Sequence, residues 1–191
     1  MNTDTKNGMR LRPRQLSFSW CRTPDYQSNR EAGKTFRRAL QTIARDTDVG
    51  ELQAELTARF GGGEHLGTGV NRITYSLGQR FVLKIEREEP SHDNANLDEC
   101  KEAARLPKDM IAAIILYDKK SRILIQERAA TNTEALLPHS FHFGVNEDCH
   151  VSHESAQKNC PACRLSVIPD AHEGNVGVIR GRLVCFDLVG Y

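Results

Sequence analysis

At 191 residues, with 39% hydrophobic and 27% charged positions, the chain has the size and composition of one soluble globular domain with room for an appendage. A formal net charge of +1 removes bulk electrostatics as a pointer to nucleic acid or membranes. No window approaches the run of about 18 apolar residues that spans a bilayer, and the N-terminus lacks the apolar segment of a signal peptide, so a cytoplasmic location without a membrane partner is expected.

Charge is unevenly spread. Residues 9 to 45 hold nine Lys or Arg against two acids, Asp25 and Glu31. Residues 1 to 30 are polar, carry Pro13 and Pro24 and show no sustained period, which predicts a flexible basic arm. Within it Trp20 and Phe18, set among arginines, suit base stacking or, more commonly, a hydrophobic anchor that docks the arm.

A helical extension is expected over 31 to 63. Phe36, Leu40, Ile43 and Ala44 fall on one face, and a second helix starts at Asp48 as N-cap with Glu51 three residues on, burying Val49, Leu52, Leu56 and Phe60. Gly61, Gly62 and Gly63 end it. The period then becomes strand-like. "HLGTGVNRITYSLG" reads as a strand, a glycine turn and a returning strand, and "RFVLKIER" as a third strand of a meander with Lys84 inside it. "NLDECKEAARL" is helix-forming and stops before Pro107, while "MIAAIILYD" and "RILIQERA" flank the turn "KKS" as two more strands. Residues 131 to 165 hold a short helical stretch, "TEALL", and a Cys/His-rich segment.

Six cysteines, at 21, 100, 149, 160, 163 and 185, do not form the framework of a secreted domain, so reduced thiols or a metal are expected. Cys149, His153, Cys160 and Cys163 give C-x3-H-x6-C-x2-C, a donor set suited to tetrahedral structural zinc, with His150 as a rival ligand. A metal-free reduced pair and a redox pair are the competing readings.

Other residues suggest phosphate chemistry. A strand lysine among apolar neighbours must snorkel to water or meet an anion. Gly67, Thr68 and Gly69 form a turn whose glycines let backbone amides approach phosphate oxygens. Glu99, or Glu102 one turn away, lies in the following helix and could pair with Lys84, or either acid could be solvated. Asp170 could orient or deprotonate a hydroxyl, and Asn175 and Asp187 offer oxygen ligands to magnesium, although each alone also reads as a turn or cap residue.

In the order glycine turn, strand lysine, helix glutamate, Asp-x4-Asn, strand-end Asp, the chain resembles the divergent branch of the protein-kinase-like superfamily. That branch includes aminoglycoside phosphotransferases and small kinase-like proteins of bacteria and their phages. The matching text is "LGTGVNRITYSLGQRFVLKIE", "NLDECKEA", "RILIQERA" and "DAHEGNVGVIRGRLVCFDL". The resemblance implies an α+β fold: an antiparallel sheet with one helix and a hinge over 64 to 130, and a reduced, zinc-clipped C-terminal lobe over 131 to 191.

It also implies an ATP-dependent kinase transferring the γ-phosphate to a hydroxyl on a protein or small molecule. Lys84 would bind the α- and β-phosphates, Glu99 would position it, Asp170 would be the catalytic base, and Asn175 and Asp187 would hold magnesium. Backbone around Glu127 to Ala129 would bond the adenine edge, and His172, inside the Asp-x4-Asn turn with Glu173, would support that loop.

Arg72 stands where such kinases usually have a third glycine, and the tripeptide at the metal aspartate is Asp187-Leu188-Val189. The sequence stops four residues after Asp187, which implies a missing substrate platform and a partner protein or second copy covering the reduced lobe. Two other functions compete: a nucleotide-binding pseudokinase or interaction protein, and a zinc-stabilised module using the basic arm on nucleic acid, which is not the expected partner. If phage-encoded, the protein would work in the host cytoplasm.

Overall fold

The computed structural model describes residues 26–43, 47–87, 94–131, 165, 168, 171 and 173–188. Two helices lead: α1 (Tyr26–Thr42) and α2 (Val49–Phe60). Helix α1 begins within the segment expected to be arm, ahead of Glu31. Helix α2 starts as expected, with Asp48 as N-cap accepting a hydrogen bond from the Glu51 amide at 2.8 Å. The glycine run does more than end this helix. Gly61 closes it, whereas Gly62 and Gly63 already belong to β1 (Gly62–Thr68), where Gly62 pairs with Leu77. At Gly62 φ is +98°, and a Cβ there would lie 2.6 Å from the Ser76 carbonyl oxygen, so only glycine lets the chain turn from helix into sheet.

Strands β2 (Arg72–Leu77) and β3 (Phe81–Glu86) continue the meander, followed by helix α3 (Ala95–Arg105) and strands β4 (Ile114–Asp118) and β5 (Ile123–Glu127). All neighbours in the sheet are antiparallel, and the spatial order is β1-β2-β3-β5-β4. Strand β5 thus slots between β3 and β4, so β3 and β5 are the central strands and are buried nearly throughout. A second, two-stranded sheet, β6 (Val176–Ile179) and β7 (Arg182–Cys185), follows a 3-10 turn at Glu173–Asn175. Its connecting residues Arg180 and Gly181 both have positive φ, which matches the right-handed twist of the two strands.

Side chains alternate across a strand, and that parity separates core from site. Leu77, Leu83, Ile85, Ile123 and Ile125 face α1 and α2, where they pack with Phe36, Leu52 and Leu56. Phe36 stands edge-on to Phe60 and Phe81, with centroids 4.6 and 5.3 Å away, tying α1 to α2 and β3. Each fully buried leucine or isoleucine here contributes roughly 1.5–3 kcal/mol. The helical extension therefore roofs one face of the sheet, leaving the other to α3 and the hairpin.

The hairpin docks through backbone as well as side chains. Ala112 N–H donates to Cys185 O and Cys185 N–H to Met110 O, while Ala130 and Val178 exchange both their hydrogen bonds, all at 2.8–2.9 Å. Beneath it Met110, Ile111, Val176, Leu183 and Leu188 form an apolar cluster with Ala103 of α3, Leu165 and Ile168. Gly177 lies against the segment after β5: a Cβ there would come 2.7 Å from Ala129 Cβ and 2.9 Å from Ala130 O. Glycine is what permits that approach.

Candidate functional site

Strand parity turns Lys84 away from the apolar core. Its ammonium is buried and donates to both carboxylate oxygens of Glu99 at 2.8 and 3.0 Å. Glu99 is held in reach because α3 is clamped to β3 one turn earlier. Fully buried Asn96 donates through Nδ2 to Lys84 O and Arg122 O, and its own backbone N–H donates to Glu86 Oε1. The N-cap residue Asn94 makes no side-chain cap bond, so the Glu86 carboxylate, bonded also to Arg122 Nε, satisfies the start of the helix instead. Of the two helix acids weighed in the sequence, Glu99 meets the lysine. Glu102 pairs with Arg105 at 3.1 Å.

The same ammonium reaches the end of the hairpin. Lys84 Nζ donates to Phe186 O at 2.6 Å, and Phe186 N–H donates to Asn175 O at 2.9 Å. Asp187 follows immediately, its main-chain oxygen accepting from the Cys185 thiol at 3.0 Å. Lys84, Glu99, Asn175 and Asp187, far apart in sequence, are thus linked through two consecutive peptide units after β7.

A fifth residue completes the cluster. Arg72, first residue of β2 and buried, donates through Nη1 to Glu99 Oε2 and through Nη2 to Asp187 Oδ1. Burial works against its charge, yet the carboxylates of Glu99 and Asp187 together hold its pKa above the ordinary guanidinium value. Two cations and two carboxylates share a largely dry space. Desolvating such a set costs as much as its mutual attraction returns, so the cluster is a poor stabiliser and a good mark of a functional site.

Sequence reasoning noted Arg72 only as a replacement for a glycine. Parity was the available signal: Arg72 and Thr74 share a face of β2, and Thr74 pairs directly with Lys84.

The glycine turn joins β1 to β2, as the expected strand, turn and returning strand. Gly67 and Thr68 are the last residues of β1, paired with Thr74 and Ile73, and Gly69 donates its N–H to Arg72 O at 2.9 Å to close the turn. Thr68 Oγ1 hydrogen-bonds His65 Nε2 at 2.8 Å. A Cβ on Gly67 would meet no atom within 4 Å, leaving open space over the backbone there.

At the expected hinge, the amides of Glu127 and Arg128 already donate to Ala113 O and Arg80 O. The Glu127 side chain is buried between Arg80 and Arg180, at 3.4 Å from each, and Arg80 continues to Ser28 and Asn29 of α1. Its carboxylate ties hinge, hairpin and extension together. Ala129, the last residue of the expected hinge, lies against Gly177.

For the magnesium that the resemblance implies, the amide oxygen of Asn175 and the carboxylate of Asp187 are hard donors of the right kind. One Asp187 oxygen accepts from Arg72. Asp170, His172, Cys149, His150, His153, Cys160 and Cys163 lie outside the described residues. Among the described residues no group of three or more His, Cys, Asp or Glu is arranged to hold a metal ion. The described cysteines, Cys100 and Cys185, are buried and unpaired, and burial pushes both thiols up to about 12. No helix among the described residues is long and apolar enough to cross a membrane.

These features define a mixed α+β protein in which an antiparallel sheet and one helix present an internal charge cluster to a docked hairpin. No family model matches the chain, and no curated protein does. Among solved structures it is similar to an aminoglycoside phosphotransferase, APH(2")-IIa, solved as a ternary complex with streptomycin and ATP. Identity is 13%, over 76% of this chain and 72% of that one, with a TM-score of 0.37.

Proposed function

We propose that the protein is a kinase-like phosphotransferase that uses ATP and magnesium to phosphorylate a hydroxyl on a protein or small molecule. The observation that carries this reading is the buried Lys84–Glu99 pair, at 2.8 Å, whose lysine also binds the peptide unit preceding Asp187. A lysine so held presents a fixed positive charge where phosphate oxygens would lie, and Glu99 keeps it from folding away. The open space over Gly67 supports phosphates passing close to the backbone. The backbone around Glu127 to Ala129 would bond the adenine edge.

In this reading Asp170 accepts the proton of the attacking hydroxyl as its oxygen bonds to the γ-phosphorus and the bond to the β-phosphate oxygen breaks, releasing ADP. Asn175 and Asp187 would hold magnesium, which when bound neutralises charge on the phosphates. Lys84 orients the α- and β-phosphates, and burial of the cluster keeps water from competing for them.

The proposal includes a structural zinc on Cys149, His153, Cys160 and Cys163, supported by their spacing. Elemental analysis should find about one zinc per chain. A folded, zinc-free protein refutes that part.

The deciding test is incubation with γ-labelled ATP and magnesium in the presence of protein and small-alcohol acceptors. Transfer from wild type that is lost in Asp170→Asn supports the assignment. Nucleotide binding without transfer refutes it in favour of a nucleotide-binding pseudokinase, a reading that the contact between Arg72 and Asp187 favours.

A further inference from the structure

Arg72 projects from the start of β2 into the space between Glu99 and Asp187, and its two terminal nitrogens divide between these carboxylates. The four charged groups cancel: Arg72 and Lys84 against Glu99 and Asp187. Without Arg72 the same site carries one net negative charge. A divalent cation approaching Asp187 would meet a guanidinium in contact with one of its two carboxylate oxygens. Like charges at such separation, shielded from water, repel strongly.

We propose that Arg72 is the resident cation of this cleft, that a divalent cation at Asp187 must displace it, and that the freed guanidinium passes to the phosphates of the incoming nucleotide.

The exchange leaves every buried carboxylate paired. Glu99 keeps Lys84 on both of its oxygens, at 2.8 and 3.0 Å, and Asp187 trades the guanidinium for the metal. Phosphate oxygens receive Arg72 in a forked geometry for which guanidinium is suited. The hinge for this movement is local. Arg72 is joined to the exposed turn at Gly69 and Val70 by the Gly69 N–H to Arg72 O bond, and Arg87 Nη1 holds the carbonyls of both turn residues at 3.4 and 3.3 Å. The Arg72 main chain is anchored there and paired with Glu86 of β3, so the exchange requires movement of its side chain alone.

The proposal rests on reading the cleft as a phosphate and metal site, and a metal-only measurement separates the two. Manganese binding to the full chain, followed by the electron paramagnetic resonance of free Mn2+ without nucleotide, should be about tenfold tighter or more in Arg72→Met than in wild type. Adding Asp187→Asn to that variant should abolish the gain. Equal or weaker affinity in a cooperatively folding Arg72→Met overturns the proposal, because an arginine that merely orients Asp187 for metal would give that result.

Should Arg72→Met fail to fold, the wild type still decides. The Arg72 side-chain Nε–H resonance, assigned by its loss in Arg72→Lys, should shift progressively as Mg2+ is added. An unmoved resonance at saturating Mg2+ overturns the exchange. Tighter manganese binding in Arg72→Met, with no phosphoryl transfer from wild type, keeps the exchange while the proposed activity falls. Transfer with unchanged metal affinity does the reverse.

Discussion

Glu86 and Glu99 are both buried, and both meet α3 on the same side of the sheet, but their partners differ in kind. Glu86 accepts from the Asn96 backbone amide at 2.8 Å and from Arg122 Nε at 2.9 Å, groups that belong to the helix start and the sheet. It closes a helix end that has no cap of its own. Glu99 holds Lys84 and shares Arg72 with Asp187, which arrives on a hairpin more than a hundred residues after Arg72. One carboxylate completes a helix start; the other links the sheet to the hairpin through charges that are costly to desolvate. A buried acid satisfied by backbone and one half-exposed arginine is architecture, whereas an acid sharing a cation with a second acid across an interface is a candidate site.

That contrast can be broken by experiment. On the site side, Asp170→Asn should lower phosphoryl transfer about a thousandfold with nucleotide affinity and unfolding midpoint nearly unchanged. Equal rates in variant and wild type would remove Asp170 as the base. Lys84→Ala should cut transfer by a similar factor while also weakening Mg-ATP binding, as isothermal titration would report.

On the architectural side, Glu86→Ala should cost about 3 kcal/mol in urea unfolding, because Arg122 and the helix amide lose their acceptor. The fraction that folds should retain transfer. Loss of transfer at unchanged stability would erase the distinction between the two glutamates. Gly177→Ala tests the seam between hinge and hairpin, and with no room for a methyl beside Ala129 and Ala130 it should cost about 2 kcal/mol.

The last test is a pH dependence. The folded chain holds the Cys100 and Cys185 thiols protonated to about 12, while the unfolded chain releases those protons near its ordinary value of about 9.0. Between these values the folded state binds more protons, so stability falls as pH rises, by about 1.4 kcal/mol per pH unit for each thiol. Cys100→Ala should remove one thiol's share of that slope. An unaltered slope would show that the thiol is not held neutral.

Much of the sheet was legible because the meander, the lysine strand and the helix before Pro107 are local patterns. The Asp48 cap and the glycine-bounded helix end were legible for the same reason. The insertion of β5 between β3 and β4 was not, since strands with similar apolar runs can pair in several orders and only packing selects one. Within the cleft, residue type and chain order pointed to Lys84, Glu99 and Asp187. Arg72 was overlooked because a charged residue after a turn is ordinarily solvated, and its burial follows from parity combined with the position of the hairpin.

Local periodicity and capping, set by backbone geometry over a few residues, let the sequence alone determine most of the helices and strands that build the sheet and its extension. The tertiary structure decided which glutamate meets Lys84, that α1 and α2 cover the far face of the sheet, and that Arg72 sits between Glu99 and Asp187. Those outcomes depend on which distant segments exclude water together. That is a property of the packed chain and not of any window along it.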